Sequence, residues 1–109
     1  IVTAPSSNEI DEAKKTNAIT ITNNQKSLNI MELAGLIKKS DFIISNDTGP
    51  AHISAHLGKK GVVLFGYHTT PRKVSIETNT FKAITTKELK DLTAEKVYSV
   101  IKERLELIN

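Results

Sequence analysis

Phe42-Ile43-Ile44-Ser45-Asn46-Asp47-Thr48-Gly49-Pro50-Ala51-His52 is the stretch that decides the fold. Phe42-Ile43-Ile44 is an apolar run that reads as a buried strand. Pro50-Ala51-His52-Ile53-Ser54-Ala55-His56-Leu57 reads as a short helix with proline near its start, where a fixed φ suits the first turn. A strand, a glycine turn and a helix N-terminus together aim backbone N–H groups at an anion. In an α/β domain the expected anion is a phosphate or diphosphate.

The segments on either side extend the pattern. Ile1-Val2-Thr3-Ala4 reads as a strand, and Pro5-Ser6-Ser7-Asn8 as a turn whose Asn8 caps a helix over residues 9–16. Ala18-Ile19-Thr20-Ile21-Thr22 is β-branched and strand-like. Ser27 is read as the cap of a helix over residues 28–39, with Ile30, Leu33, Ala34 and Ile37 on one buried face. Gly61-Val62-Val63-Leu64-Phe65-Gly66 has the continuous apolar character of a buried parallel strand. Phe81-Lys82-Ala83-Ile84 is a last strand, and Thr93 caps a final helix with Val97, Val100, Ile101, Leu105 and Ile108 facing inward.

This β-α-β-α-β-α-β-loop-β-α order predicts an α/β fold: a Rossmann-like parallel sheet with helices on both faces. Such sheets bind ligands beyond the carboxyl ends of their strands. The loops expected at that edge are 5–8, 46–50 and 66–71.

Composition narrows the classes of function. The chain has 109 residues, 39% apolar and 25% charged, which suits one globular domain. With no cysteine, disulfides and thiolate metal or redox sites are excluded, and an intracellular, cytoplasmic location fits. No apolar stretch reaches the roughly 20 residues of a membrane span, and the N-terminus has no signal-peptide pattern. The net charge of +3 comes from lysine pairs scattered among acids, so no nucleic-acid partner is expected. The chain opens inside an apolar run without an initiator methionine, and so reads as part of a longer protein.

Several residues can carry chemistry, each with a plainer structural role beside it. Asp47 can meet a ligand hydroxyl, or close its own turn by accepting N–H bonds. The anion itself would be met by the N–H groups of Thr48, Gly49 and Ala51 and by the Thr48 hydroxyl. His52 can donate to a phosphate or ribose oxygen, or rest half-buried on backbone. His56 shares its face at metal-ligand spacing, but no third ligand is evident, so no metal is expected. Arg72 and Lys73, in the loop with His68, Thr69 and Thr70, can neutralise a diphosphate or stay solvated. Glu9 and Glu12 can accept ribose hydroxyls, or serve as first-turn acids that suit the helix dipole.

The run from Leu28 to Gly66 resembles the C-terminal domain of glycosyltransferase family 9, the lipopolysaccharide heptosyltransferases. The matching pieces are Leu33-Ala34-Gly35-Leu36-Ile37, Asn46-Asp47-Thr48-Gly49-Pro50-Ala51-His52, Leu57-Gly58 and Val62-Val63-Leu64-Phe65-Gly66. The resemblance implies the donor-binding half of a two-domain GT-B enzyme of bacteria. Such an enzyme moves a heptose from an ADP-linked nucleotide sugar, with inversion, to a lipid-linked saccharide. No cofactor is implied beyond that substrate, and the acceptor and catalytic base belong to an N-terminal domain. Peripheral contact of the whole protein with the inner membrane is compatible with such an acceptor.

By the same resemblance Thr48 and Gly49 hold the diphosphate, and Asp47 and His52 flank the nucleotide sugar. Leu28, in the Ser27-Leu28 turn, lies near the adenine, and Glu9 is a ribose ligand. Lys59-Lys60 stands where the family usually has Thr-Pro, and Gly66-Tyr67-His68-Thr69-Thr70-Pro71 where it usually has Gly-Pro-Thr-x-Pro. The alternative is a non-catalytic phosphate- or nucleotide-binding module on the same fold.

Overall fold

The computed structural model describes residues 1–46, 48–66 and 76–108, with backbone alone at residue 89 and at 104–108. It is an α/β structure whose strands pair in parallel. The chain divides into two compact units, Ile1–Leu36 and Ile37–Asn109.

In the first unit β1 (Val2–Thr3) pairs with β2 (Ile19–Thr20), in the register Val2↔Ile19 and Thr3↔Thr20. A 3-10 turn (Ser7–Glu9) and α1 (Ile10–Lys14) connect them. Asn8 is therefore not a cap. The chain enters the turn at Ser6, whose hydroxyl donates to Glu9 Oε1 at 2.5 Å. After β2 the chain reverses in a two-residue turn closed by mutual backbone bonds between Asn23 and Lys26. Asn24 and Gln25 at its tip have φ of 52° and 65°, the left-handed pair that such a turn requires.

The next helix, α2 (Ile30–Lys39), starts later than the Ser27 reading places it. Its cap is Asn29. Asn29 Oδ1 accepts the Glu32 N–H at 2.8 Å, and Glu32 Oε1 accepts the Asn29 N–H at 2.9 Å. This reciprocal box satisfies two amides that Ser27 cannot reach. Ser27 pairs instead with the Ser7 hydroxyl, 3.0 Å away. The second Glu32 oxygen accepts from Asn23 Nδ2 at 2.6 Å, tying the reverse turn to the helix head. Ile30 is 68% exposed rather than on the inner face, because it opens the helix before its buried stripe begins; Ile37 is buried.

The second unit is built on β4 (Gly61–Phe65), which lies between β3 (Ile43–Asn46) and β5 (Phe81–Thr85). Successive strand side chains point to opposite faces, and both Val62 and Val63 are fully buried. On the Val63 side the core contains Phe65, Ile76, Phe81 and Ala51 of α3 (Gly49–His56), with Ile43, Ala55 and Ala83 packed against it. The final helix, α4 (Ala94–Ile108), packs against β4 and is capped by Thr93 Oγ1, which accepts the Lys96 N–H at 3.1 Å. The expected burial of Phe42-Ile43-Ile44 is only partial. Ile44 is 55% exposed, because β3 is an edge of its three-stranded sheet. On the other edge, the Glu77 carboxylate accepts the Ala83 N–H at 3.1 Å and occupies an amide that β4 does not use.

Two backbone details fix where the strands and helices sit. A Cβ added to Gly61 would run into the Ile43 carbonyl oxygen and lie 2.9 Å from Phe81 Cε2, so the neighbouring strand closes in only over glycine. At the end of α3, Gly58 takes φ 68° and the Lys59 N–H reaches back to Ser54 O at 3.0 Å. With the Gly58 N–H on Ala55 O, this is a Schellman ending. The Lys59 ammonium donates to Lys38 O at 2.6 Å and Ser40 O at 2.9 Å, placing a cation at the C-terminal end of α2.

Gly61→Ala is expected to lower stability in urea unfolding by roughly 2–3 kcal/mol, since the added methyl meets backbone that cannot turn away. Gly35→Ala, where an added Cβ meets nothing within 4 Å, should raise it by about 0.5–1 kcal/mol. Lys59→Met should cost about 1–2 kcal/mol by removing two charge-assisted bonds. An unchanged unfolding midpoint would show that the Lys59 bonds contribute nothing.

Candidate functional site

Parallel pairing brings the carboxyl ends of neighbouring strands to one edge. In the second unit Asn46 pairs with Leu64 and Phe65 with Thr85, so the ends of β3 and β4 lie at the same edge of the sheet. Asp47, and the loop residues His68, Thr69, Thr70, Arg72 and Lys73, lie outside the described residues.

Thr48 is extended, with φ −144° and ψ −179°, and occupies the N-cap position of α3 without a side-chain cap bond. Its N–H donates to Asn46 O at 2.8 Å, and its hydroxyl lies 3.4 Å from the same oxygen. The Thr48 carbonyl accepts the Ala51 N–H at 3.0 Å and the His52 N–H at 3.4 Å. Pro50 has no N–H. Among the described residues nothing accepts the Gly49 N–H. Of the three amides expected to face an anion, Gly49 is therefore the open one, while Thr48 and Ala51 are engaged inside the turn.

Gly49 is also not explained by packing. Its φ lies outside the left-handed region, and a Cβ there would meet nothing within 4 Å. The absence of a side chain at this position is what close approach of a ligand to backbone needs.

Both histidines of α3 are exposed. Among the described residues neither imidazole has a hydrogen-bond partner, so His52 is not the half-buried, backbone-bonded histidine of the plainer reading. His52 follows Ala51, which is fully buried against the sheet, and its ring is carried on the outward side of the first turn. Among the described residues no three His, Cys, Asp or Glu side chains are grouped so as to hold a metal ion.

Glu9 and Leu28 belong to the first unit. The Ser7–Ser27 hydroxyl contact brings their two loops together beyond the carboxyl ends of β1 and β2. Glu9 is exposed, and one of its oxygens is taken by Ser6. Leu28 is half-buried ahead of α2, whereas Ile30 and Met31, 68% and 78% exposed, present apolar surface in the first helical turn. Reading Ser27 as the cap hid this. The signal for the correct start was Glu32, three residues after Asn29.

Among the described residues Lys15 pairs with Glu12 and Lys90 with Glu88, each at 3.0 Å. Among the described residues no helix is long and apolar enough to cross a membrane.

Comparison with known proteins shows the family. The model of glycosyltransferase family 9 (heptosyltransferase) matches residues 3–101. The lipopolysaccharide core heptosyltransferase OpsX of Haemophilus influenzae is 35% identical over 72 residues, covering 63% of this chain and 21% of that protein. The chain thus spans about a fifth of the length of this curated relative. No solved structure matches. The family match takes in both units and nearly all of the chain, and the chain belongs to glycosyltransferase family 9.

Proposed function

We propose that this chain is the donor-binding part of an inverting GT-B glycosyltransferase that transfers an ADP-activated heptose to a lipid-linked saccharide in bacterial lipopolysaccharide synthesis. The open Gly49 N–H at the head of α3, at a residue whose added Cβ would meet nothing within 4 Å, carries the reading. Membership of the heptosyltransferase family supports the class of donor and acceptor. The full protein would act in the cytoplasm, at the membrane surface that bears its acceptor.

The chemistry follows from charge. Breaking the anomeric C–O bond leaves negative charge on the departing diphosphate. The Gly49 N–H and the positive end of α3 stabilise that charge as it develops. Thr48 and Ala51 add their amides by re-aiming them from Asn46 O and Thr48 O. His52, exposed on the next position, donates to a phosphate or ribose oxygen, and Asp47 meets a hydroxyl of the nucleotide sugar. Glu9 is the proposed ribose ligand. Leu28, with Ile30 and Met31 beyond it, supplies apolar surface for the base.

Titration of the full-length protein with ADP, followed by heteronuclear NMR, should shift the Gly49 amide most, with Thr48 and Ala51 following. Shifts confined to lysine-rich helix surfaces, and produced only by oligonucleotides, would overturn the proposal. Gly49→Val should weaken ADP binding at least about tenfold, while stability changes by no more than about 1 kcal/mol because the site is open. Undiminished affinity in that variant would remove Gly49 from the anion site.

A further inference from the structure

Ser54 is the buried polar side chain of the described core; it is 0% exposed and three residues from Ala51 on the sheet-facing side of α3. Alanine has the better helix propensity and leaves no hydroxyl to desolvate. Propensity and burial therefore both argue against serine at this position. Its one described side-chain bond runs to Pro50 O, at 2.7 Å.

The Pro50 carbonyl already receives the helical N–H from residue 54, so the hydroxyl is a second donor to it. A serine that bonds the carbonyl four residues back opens that turn and bends the helix, at a small cost in stability. Here the turn that Ser54 closes runs from Pro50 to Ser54 and begins at the residue after Gly49. The Ser54 carbonyl meanwhile accepts the Lys59 N–H at 3.0 Å, which holds this residue to the closed end of α3. One residue, through its carbonyl and its hydroxyl, thus links the closed end of the helix to the Pro50 carbonyl next to Gly49.

We infer that Ser54 is a positioning residue: its hydroxyl, through Pro50 O, sets the direction of the Gly49 N–H toward the donor diphosphate. This rests on the donor-binding reading above. Ser54 makes no contact with the ligand and takes no part in the bond changes. Its contribution is the aim of a dipole, which matters because a hydrogen bond weakens steeply as its angle closes.

The test uses the full-length protein, with ADP as probe, in unmodified form and as Ser54→Ala, Ser54→Thr and Gly49→Val. Calorimetric ADP affinity and thermal unfolding are measured on each. Ser54→Ala should bind ADP five- to tenfold more weakly with an unchanged or higher unfolding temperature, and Ser54→Thr, which keeps the hydroxyl, should stay within twofold of the unmodified protein. Unreduced ADP affinity in Ser54→Ala, beside a clear loss in Gly49→Val, would overturn the role of Ser54 and leave the donor site standing. Weaker binding accompanied by a lower unfolding temperature would make Ser54 a packing residue only and overturn the inference. Absence of ADP binding by the unmodified protein would overturn the donor-binding reading itself, and this inference with it.

Discussion

The close approach of backbone over Gly61 is the constraint on which the second unit depends. The Ile43 carbonyl and the Phe81 ring both occupy space that any other residue's Cβ would need. With glycine there, β3 and β5 close on β4 at one level, and the registers Ile43↔Gly61 and Gly61↔Phe81 are set together. Everything downstream inherits that alignment. Asn46 comes level with Leu64, α3 starts where β3 ends, and Ala51 drops into the core beside Val63 and Phe65.

The anion role proposed for the head of α3 asks little chemistry of side chains. Proline removes one amide, the Asn46 and Thr48 carbonyls occupy three more, and the Gly49 N–H is left. A group so placed interacts weakly with a neutral ligand and strongly with a charged one. The dipole of the helix behind it adds to the same sign of charge. That selectivity for charge suits a role in which the leaving group, rather than the sugar, is what the turn holds.

Much of this was legible from residue order. Alternating β-branched and amphipathic segments gave parallel pairing, and the glycine and proline after Ile43-Ile44 gave the turn. Three features were not legible, for separate reasons. Ser27 and Asn29 are both good caps, and only the reciprocal bond from Glu32 decides between them. Ile44 has the composition of a central strand, and no local pattern reveals that β3 lies on an edge. The Lys59-Lys60 pair reads as surface charge, yet the Lys59 ammonium is committed to two carbonyl oxygens at the end of α2. Long-range bonds of that kind leave no periodic trace in the sequence. The turn from Thr48 into α3 was legible because its spacing is local; the departure of Leu28 from the helix follows from the misplaced cap.

Glu32 has a consequence for which sequences can replace this one. Its two oxygens serve two donors, the Asn29 amide and the Asn23 side-chain amide. Glutamine, the usual conservative exchange, offers one acceptor and would turn an NH2 group toward one of those donors. Aspartate is a methylene too short to span both. The position therefore tolerates neither neighbour in chemistry nor neighbour in size unless residue 23 changes with it. In drifting relatives, positions 23 and 32 are expected to be exchanged as a pair.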